Sequence, residues 1–205
     1  MSDEAKNTGR VEAFSDGVFA IAITLLVLEL KVPPGPFEGP HALFRELASE
    51  HFFSSYLAFF LSFVSILVMW VNHHRIFTLV WRVDDAFLYW NGLLLLFVTF
   101  VPFPTSLLAE HLTREAAKGA AAMYAGTALA IALAFTALWR HAIRDARCLA
   151  PNTEKEVADL SRQYRYGPAA YLVALGLSYF SAIASVGLCL LLVLVFAFRG
   201  FLGRR

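Results

Sequence analysis

The chain has 205 residues, of which 59% are apolar or aromatic and only 16% are Asp, Glu, Lys or Arg, and its formal charge is +1. Soluble domains carry about 25% charged residues, so composition argues against a water-soluble enzyme domain. A nucleic-acid partner is disfavoured too, because neutralising phosphates needs a concentrated basic face, and none is visible here.

The charged residues are placed so as to leave long gaps. His51–His74, Ala86–Ala109, Gly119–Trp139 and Tyr166–Phe198 contain no Asp, Glu, Lys or Arg. Each equals or exceeds the roughly 20 residues a helix needs to cross a hydrocarbon core of about 30 Å. An all-α polytopic membrane protein is expected. Met1–Lys6 carries acid as well as base, and LELKVPPGPFEG over Leu28–Gly39 offers no small-residue cleavage pattern. The first apolar run is therefore expected to stay in the mature chain.

That first run is short, with twelve uncharged residues between Asp16 and Glu29, or about 18 Å of helix. Its charged ends must enter the membrane region, where a carboxylate is tolerated only toward protein or water, so this span is expected to be shielded inside the bundle. VPPGPFEGP after Lys31 cannot continue a helix and reads as a loop, with a short amphipathic helix over Ala42–Glu50. The 33 residues of Tyr166–Phe198 would make a helix of about 50 Å, too long for one crossing. Two helices with a turn near Ser178–Ser185 fit better. Arg140–Arg165 is then the one sizeable cytoplasmic loop, its mixed charges suggesting a solvated helix hairpin or cap.

Six spans result, over approximately 10–31, 52–77, 85–108, 117–140, 165–181 and 183–199, in a single domain covering 1–205. With both termini cytoplasmic, thirteen Lys and Arg fall on that side and four on the other, whereas five spans would give ten against seven. Cytoplasmic loops are enriched in positive residues, so the six-span arrangement is preferred.

Two polar clusters sit at cytoplasmic ends. One is Arg10-Val-Glu-Ala-Phe14-Ser15-Asp16-Gly17 and the other Trp70-Val-Asn72-His73-His74-Arg75. A knot joining Arg10, Ser15 and Asp16 to Asn72, His73 or His74 is expected, either to lock helices or to gate. Adjacent histidines point about 100° apart on a helix, so His73 and His74 do not suit one metal ion, and no metal or cofactor is expected. Cys148 and Cys189 read as structural. H-E-x-x-H, G-x-S-x-G and Walker patterns are missing, which argues against an enzyme. Within the first span Gly17, Ile21, Thr24 and Leu28 recur at spacings of four, three and four, with Leu25 beside them, so they form one helix face. Either ordinary packing or a pore wall would use such a stripe.

Arg10-x-x-x-Phe14-Ser15-Asp16 entering an apolar helix resembles the R-x-x-x-F-S-D signature of the transmembrane protein 175 potassium channel family. Trp70-Val-Asn72-His73-His74 and Pro102-Phe103-Pro104-Thr105 extend the likeness through the first half of the chain. The resemblance implies a six-helix bundle without a TVGYG filter, assembled in single-repeat bacterial members as a homotetramer. It implies a pore on the fourfold axis lined by span one, an apolar constriction at Ile21, Leu25 and Leu28, and a selectivity-linked hydroxyl at Thr24. A serine that some members use just before the constriction is Ala20 here. Arg10, Phe14, Ser15, Asp16, Trp70, Asn72, His73 and His74 take gating or structural roles. The expected function is a passive cation channel of a bacterial cytoplasmic membrane, with potassium as the permeant ion and protons as a second candidate. A secondary transporter and a non-conducting membrane scaffold are the alternatives.

Overall fold

The computed structural model describes residues 3–33, 35–36, 38–39, 41–144, 149–150 and 153–202. Cys148, and Arg147, Arg204 and Arg205 of the charge count, lie outside them. Eight α-helices are described: α1 (Asp3–Leu25), α2 (Ala42–Leu47), α3 (Glu50–Leu79), α4 (Asp85–Phe100), α5 (Pro102–His111), α6 (Ala117–Arg144), α7 (Glu154–Ser178) and α8 (Ala182–Leu202). A 3-10 turn, Leu26–Glu29, prolongs α1.

Local chemistry sets several of these ends. Ser49 Oγ caps α3 by accepting the Phe52 amide at 3.4 Å, and Asp84 caps α4 by accepting Phe87 N at 2.7 Å. That amide bond and the His141 ring beside it hold the Asp84 carboxyl below its ordinary range. Pro102 has no N–H to continue α4, so Val101 N turns back to Val98 O at 3.2 Å and α5 starts with the proline in its first turn. Pro168, inside α7, likewise frees the Tyr164 carbonyl, and Thr136 Oγ1 on α6 lies 3.3 Å from it.

The 33-residue apolar run is divided as its length requires, with Tyr179–Ser181 turning between α7 and α8. In the charged segment after α6, whose mixed charges suggest a helix hairpin or cap, helix predominates. Helix continues to Arg144 and resumes at Glu154, so most of the expected loop is helical. Ala150 N donates to Leu79 O at 2.9 Å and pins this connection to the end of α3.

The bundle has two apolar clusters. One gathers Phe19, Leu26, Ile76, Phe87, Leu138 and Trp139 from α1, its 3-10 turn, α3, α4 and α6. The other is alanine-rich, with Ala120, Ala121, Ala125 and Ala174 packed beside Tyr124, Tyr171 and Cys189. Small residues let α6 and α7 approach closely, the usual solution where lipid removes the hydrophobic drive for helix association. Between α3, α5 and α6, Ser62 Oγ lies 2.6 Å from Thr105 Oγ1 and 3.2 Å from Tyr124 Oη.

Four stretches are long and apolar enough to cross a membrane: Thr8–Glu29, Phe52–Leu79, Asp85–His111 and Ala117–Arg144; Ala182–Phe198 is a shorter apolar helix. The protein is a helical membrane protein. The first stretch departs from expectation. Only 22% of its apolar window is buried against 44% for each of the other three, so α1 stands at the edge of the protomer and is not shielded by its own chain.

Candidate functional site

At about 100° per residue, α1 divides into three faces. Ser15, Phe19, Ala22 and Leu26 face α3 and α4 and are buried. Glu12 and Asp16, four apart, flank this face and reach α3. The remaining face carries Phe14, Ile21, Leu25 and Leu28, which are 68%, 61%, 42% and 64% exposed, together with exposed Thr24. The Thr24 hydroxyl donates within its own helix, 2.9 Å from both Ala20 O and Ile21 O, which leaves its oxygen able to accept a bond from outside.

The two sequence clusters meet, by a different set of bonds than expected. Trp70 Nε1 donates to Asp16 Oδ1 at 2.9 Å. His74 Nδ1 lies 2.8 Å from Glu12 Oε1. Ser15 and His73, both fully buried, are joined through Asn91 of α4. Ser15 Oγ donates to Val11 O at 2.8 Å and accepts from Asn91 Nδ2 at 2.9 Å. Asn91 Oδ1 is then left to accept the His73 Nε2 proton, also at 2.9 Å. This chain of donors places the His73 proton on Nε2. Nδ1 has no hydrogen-bond partner among the described residues, and the ring is stacked on Phe77 at 4.5 Å with Phe19 at 5.2 Å.

Asn72 does not reach α1. Its Oδ1 accepts from Gln163 Nε2 of α7 at 3.1 Å, and Gln163 Oε1 in turn lies 3.4 Å from Arg75 Nη1. The geometric cause is that Asn72 and His73 point about 100° apart on α3, so only one can face α1 and α4. Arg10 is exposed and joins no bond of the knot among the described residues. Glu12, Asn91 and Gln163 were missed as site residues. Glu12 was legible as a carboxylate four before Asp16; Asn91, an amide inside YWNGLLLLF, was legible as a polar group that lipid would not tolerate unpaired. Gln163 had no comparable signal in its polar surroundings. Among the described residues no three His, Cys, Asp or Glu side chains gather as a metal site would require.

Residues 10–102 match the family described as the endosomal/lysosomal potassium channel TMEM175. A potassium channel of Chamaesiphon minutus is 58% identical over 197 residues, 96% of either chain. One of Streptomyces collinus is 44% identical over 94% of this chain and 92% of that one. The chain belongs to the TMEM175 family. The crystal structure of a lysosomal potassium-selective TMEM175 homolog from Chamaesiphon minutus shares the fold, with a TM-score of 0.85 at 57% identity, covering 95% of this chain and 98% of that one. The TMEM175 match begins at Arg10 and ends at Pro102. It therefore contains the exposed face of α1, the Ser15–Asn91–His73 chain and the Asp16–Trp70 bond, but not Gln163. The family is one of ion channels, not enzymes.

Proposed function

We propose that this chain is a potassium channel of a bacterial cytoplasmic membrane, in which four copies place their α1 helices around a common axis. The observation that carries this reading is the exposed face of α1. A helix opened by Glu12 and Asp16, yet left largely uncovered by its own chain, is poorly suited to lipid and well suited to neighbouring copies and water. In that arrangement Ile21, Leu25 and Leu28 form an apolar constriction that closes by dewetting, and Thr24 offers hydroxyl oxygens to a partly dehydrated ion. Crossings by α1, α3, α4 with α5, α6, α7 and α8 make six spans, with both termini cytoplasmic as the Lys and Arg bias favours.

The polar bonds on the other side of α1 are proposed to set its tilt. A groove of about 330 Å³ runs between α1 and α3, lined by Asp16, Phe19, Ala20, Ile23, Ile66 and Trp70 among others. α1 is thus tied to α3 by discrete bonds, Asp16–Trp70 and Glu12–His74, across incomplete packing, which suits a helix that shifts between closed and open positions. Phe14 and Arg10 are free to meet the next copy. The relatives named potassium channels support the ion assignment.

Reconstitution in liposomes with a potassium gradient tests this reading. A large flux is expected, with Ile21→Asn producing a constitutive leak because a polar ring keeps the constriction wet, and Thr24→Ala changing the potassium-to-sodium ratio. Saturating exchange at low turnover would indicate a transporter, and absence of flux a scaffold. A proton gradient in the same vesicles asks whether protons pass as well.

A further inference from the structure

A second surface feature lies away from α1, on the outside of the bundle between α4 and α6. It is an open groove of about 590 Å³. Its floor is apolar, built from Leu93 and Phe97 of α4 and Ala130 and Leu133 of α6, and Arg140, His141 and Arg144 stand together at one end. Ala130 and Arg144 are fourteen residues apart on one helix, so the groove extends about 21 Å. That covers one leaflet of a hydrocarbon core of about 30 Å.

Charge is confined to one end, and two cations there are unspent. Arg140 and Arg144 are exposed and form no ion pair among the described residues. The carboxylate that reaches the same end, Asp84, is occupied by the Phe87 amide and by His141 Nε2 at 2.8 Å and 3.0 Å. Trp90 lines the groove near this end, where an indole suits the boundary between acyl chains and headgroups. A long apolar trough ending in paired guanidiniums matches a molecule with an extended hydrocarbon tail and a phosphate head, since Arg recognises phosphate through a fixed fork of donors.

We propose that the α4–α6 groove is a binding site for an anionic glycerophospholipid, with its phosphate at Arg140 and Arg144 and an acyl chain along Leu93, Phe97 and Leu133. The site is independent of whether the protein conducts. Occupied, it would add a lipid tail to the seam that joins α4, which carries Asn91, to α6.

The full-length protein is placed in phosphatidylcholine vesicles holding a small fraction of brominated-chain phosphatidylglycerol, and Trp90 quenching is read as the difference between wild type and Trp90→Phe. Stronger quenching by brominated phosphatidylglycerol than by the same fraction of brominated phosphatidylcholine is expected. Each basic side chain near an anionic headgroup contributes about fivefold. Arg140→Gln with Arg144→Gln should therefore raise the phosphatidylglycerol fraction for half-quenching about thirtyfold, while the double Lys variant keeps the preference. Equal quenching by the two lipids overturns the proposal, as does a double Gln variant that quenches like wild type. Absence of Trp90 quenching, with a disulfide forming between copies at Leu133→Cys, would assign the groove to a second protomer and overturn it too.

Discussion

Asn91 shows how one side chain can decide the placement of a helix. It donates to Ser15 on α1 and accepts from His73 on α3, so three helices depend on a single amide. Replacing it with Leu removes both bonds; Ser15 keeps its bond to Val11 O, but the buried His73 imidazole is left without a partner, at a cost of about 1–3 kcal/mol. Asn91→Leu is expected to lower the thermal midpoint of the detergent-solubilised protein well below that of an exposed control such as Tyr89→Leu; equal midpoints would contradict the role. Asp84 gives a pH-dependent counterpart. Its folded pKa is depressed, so its contribution is present above the ordinary carboxylate range and is lost as pH falls through the lowered folded value. The side chain is 53% exposed, which keeps the effect small. Asp84→Asn should flatten the acid limb of the stability–pH curve while keeping the cap on Phe87, whereas Asp84→Ala should lower stability throughout by about 0.5–2 kcal/mol. An unchanged acid limb in Asp84→Asn would refute the assignment.

Helix α1 is anchored from one side and uncovered on the other. Asp16–Trp70 and Glu12–His74 fix it to α3 at two points one turn apart, while Ser15 fixes it to α4. If Asp16 and Trp70 act as a pair in setting the tilt of α1, their substitutions are coupled. A cycle of Asp16→Asn and Trp70→Phe, read on flux and on thermal midpoint, is expected to show an interaction of about 0.5–3 kcal/mol. Asp16→Asn alone should disturb assembly or opening more than ion preference. Additive effects, or an unchanged oligomer yield and unchanged currents, would rule out α1–α3 tethering. The sequence made this helix conspicuous, because twelve uncharged residues between two acids are too few to face lipid. It could not say which atoms hold the acids, since hydrogen-bond partners come from distant helices whose rotation no periodicity specifies. Hence Asn72, expected against α1, turns to Gln163 instead.

At the level of the whole molecule, charge-free runs and their lengths are enough to read an all-helical membrane protein, and the 33-residue run announced its own turn. The break between α4 and α5 was legible from Pro102, since proline cannot supply the missing amide. The mixed charges of EKEVADLSRQYR suggested a helix hairpin or cap, but not that α7 runs unbroken from Glu154 into the apolar span, which depends on packing Leu160 and Gln163 inside the bundle. The least legible feature was the position of α1 at the edge of its own chain, because burial against other copies leaves the same sequence pattern as burial within one. The proposed arrangement therefore turns on whether the copies of α1 meet around water. Single cysteines at Ile21, Thr24 and Leu28, in a background of Cys148→Ser and Cys189→Ala, test this directly in potassium-loaded liposomes, with Leu191→Cys on α8 as a control. A small thiol-binding cation is expected to block flux through the three α1 variants and to spare the control, and Ile21→Cys is expected to form disulfides between subunits. Flux untouched in all three, with no linked subunits, would contradict the proposed arrangement.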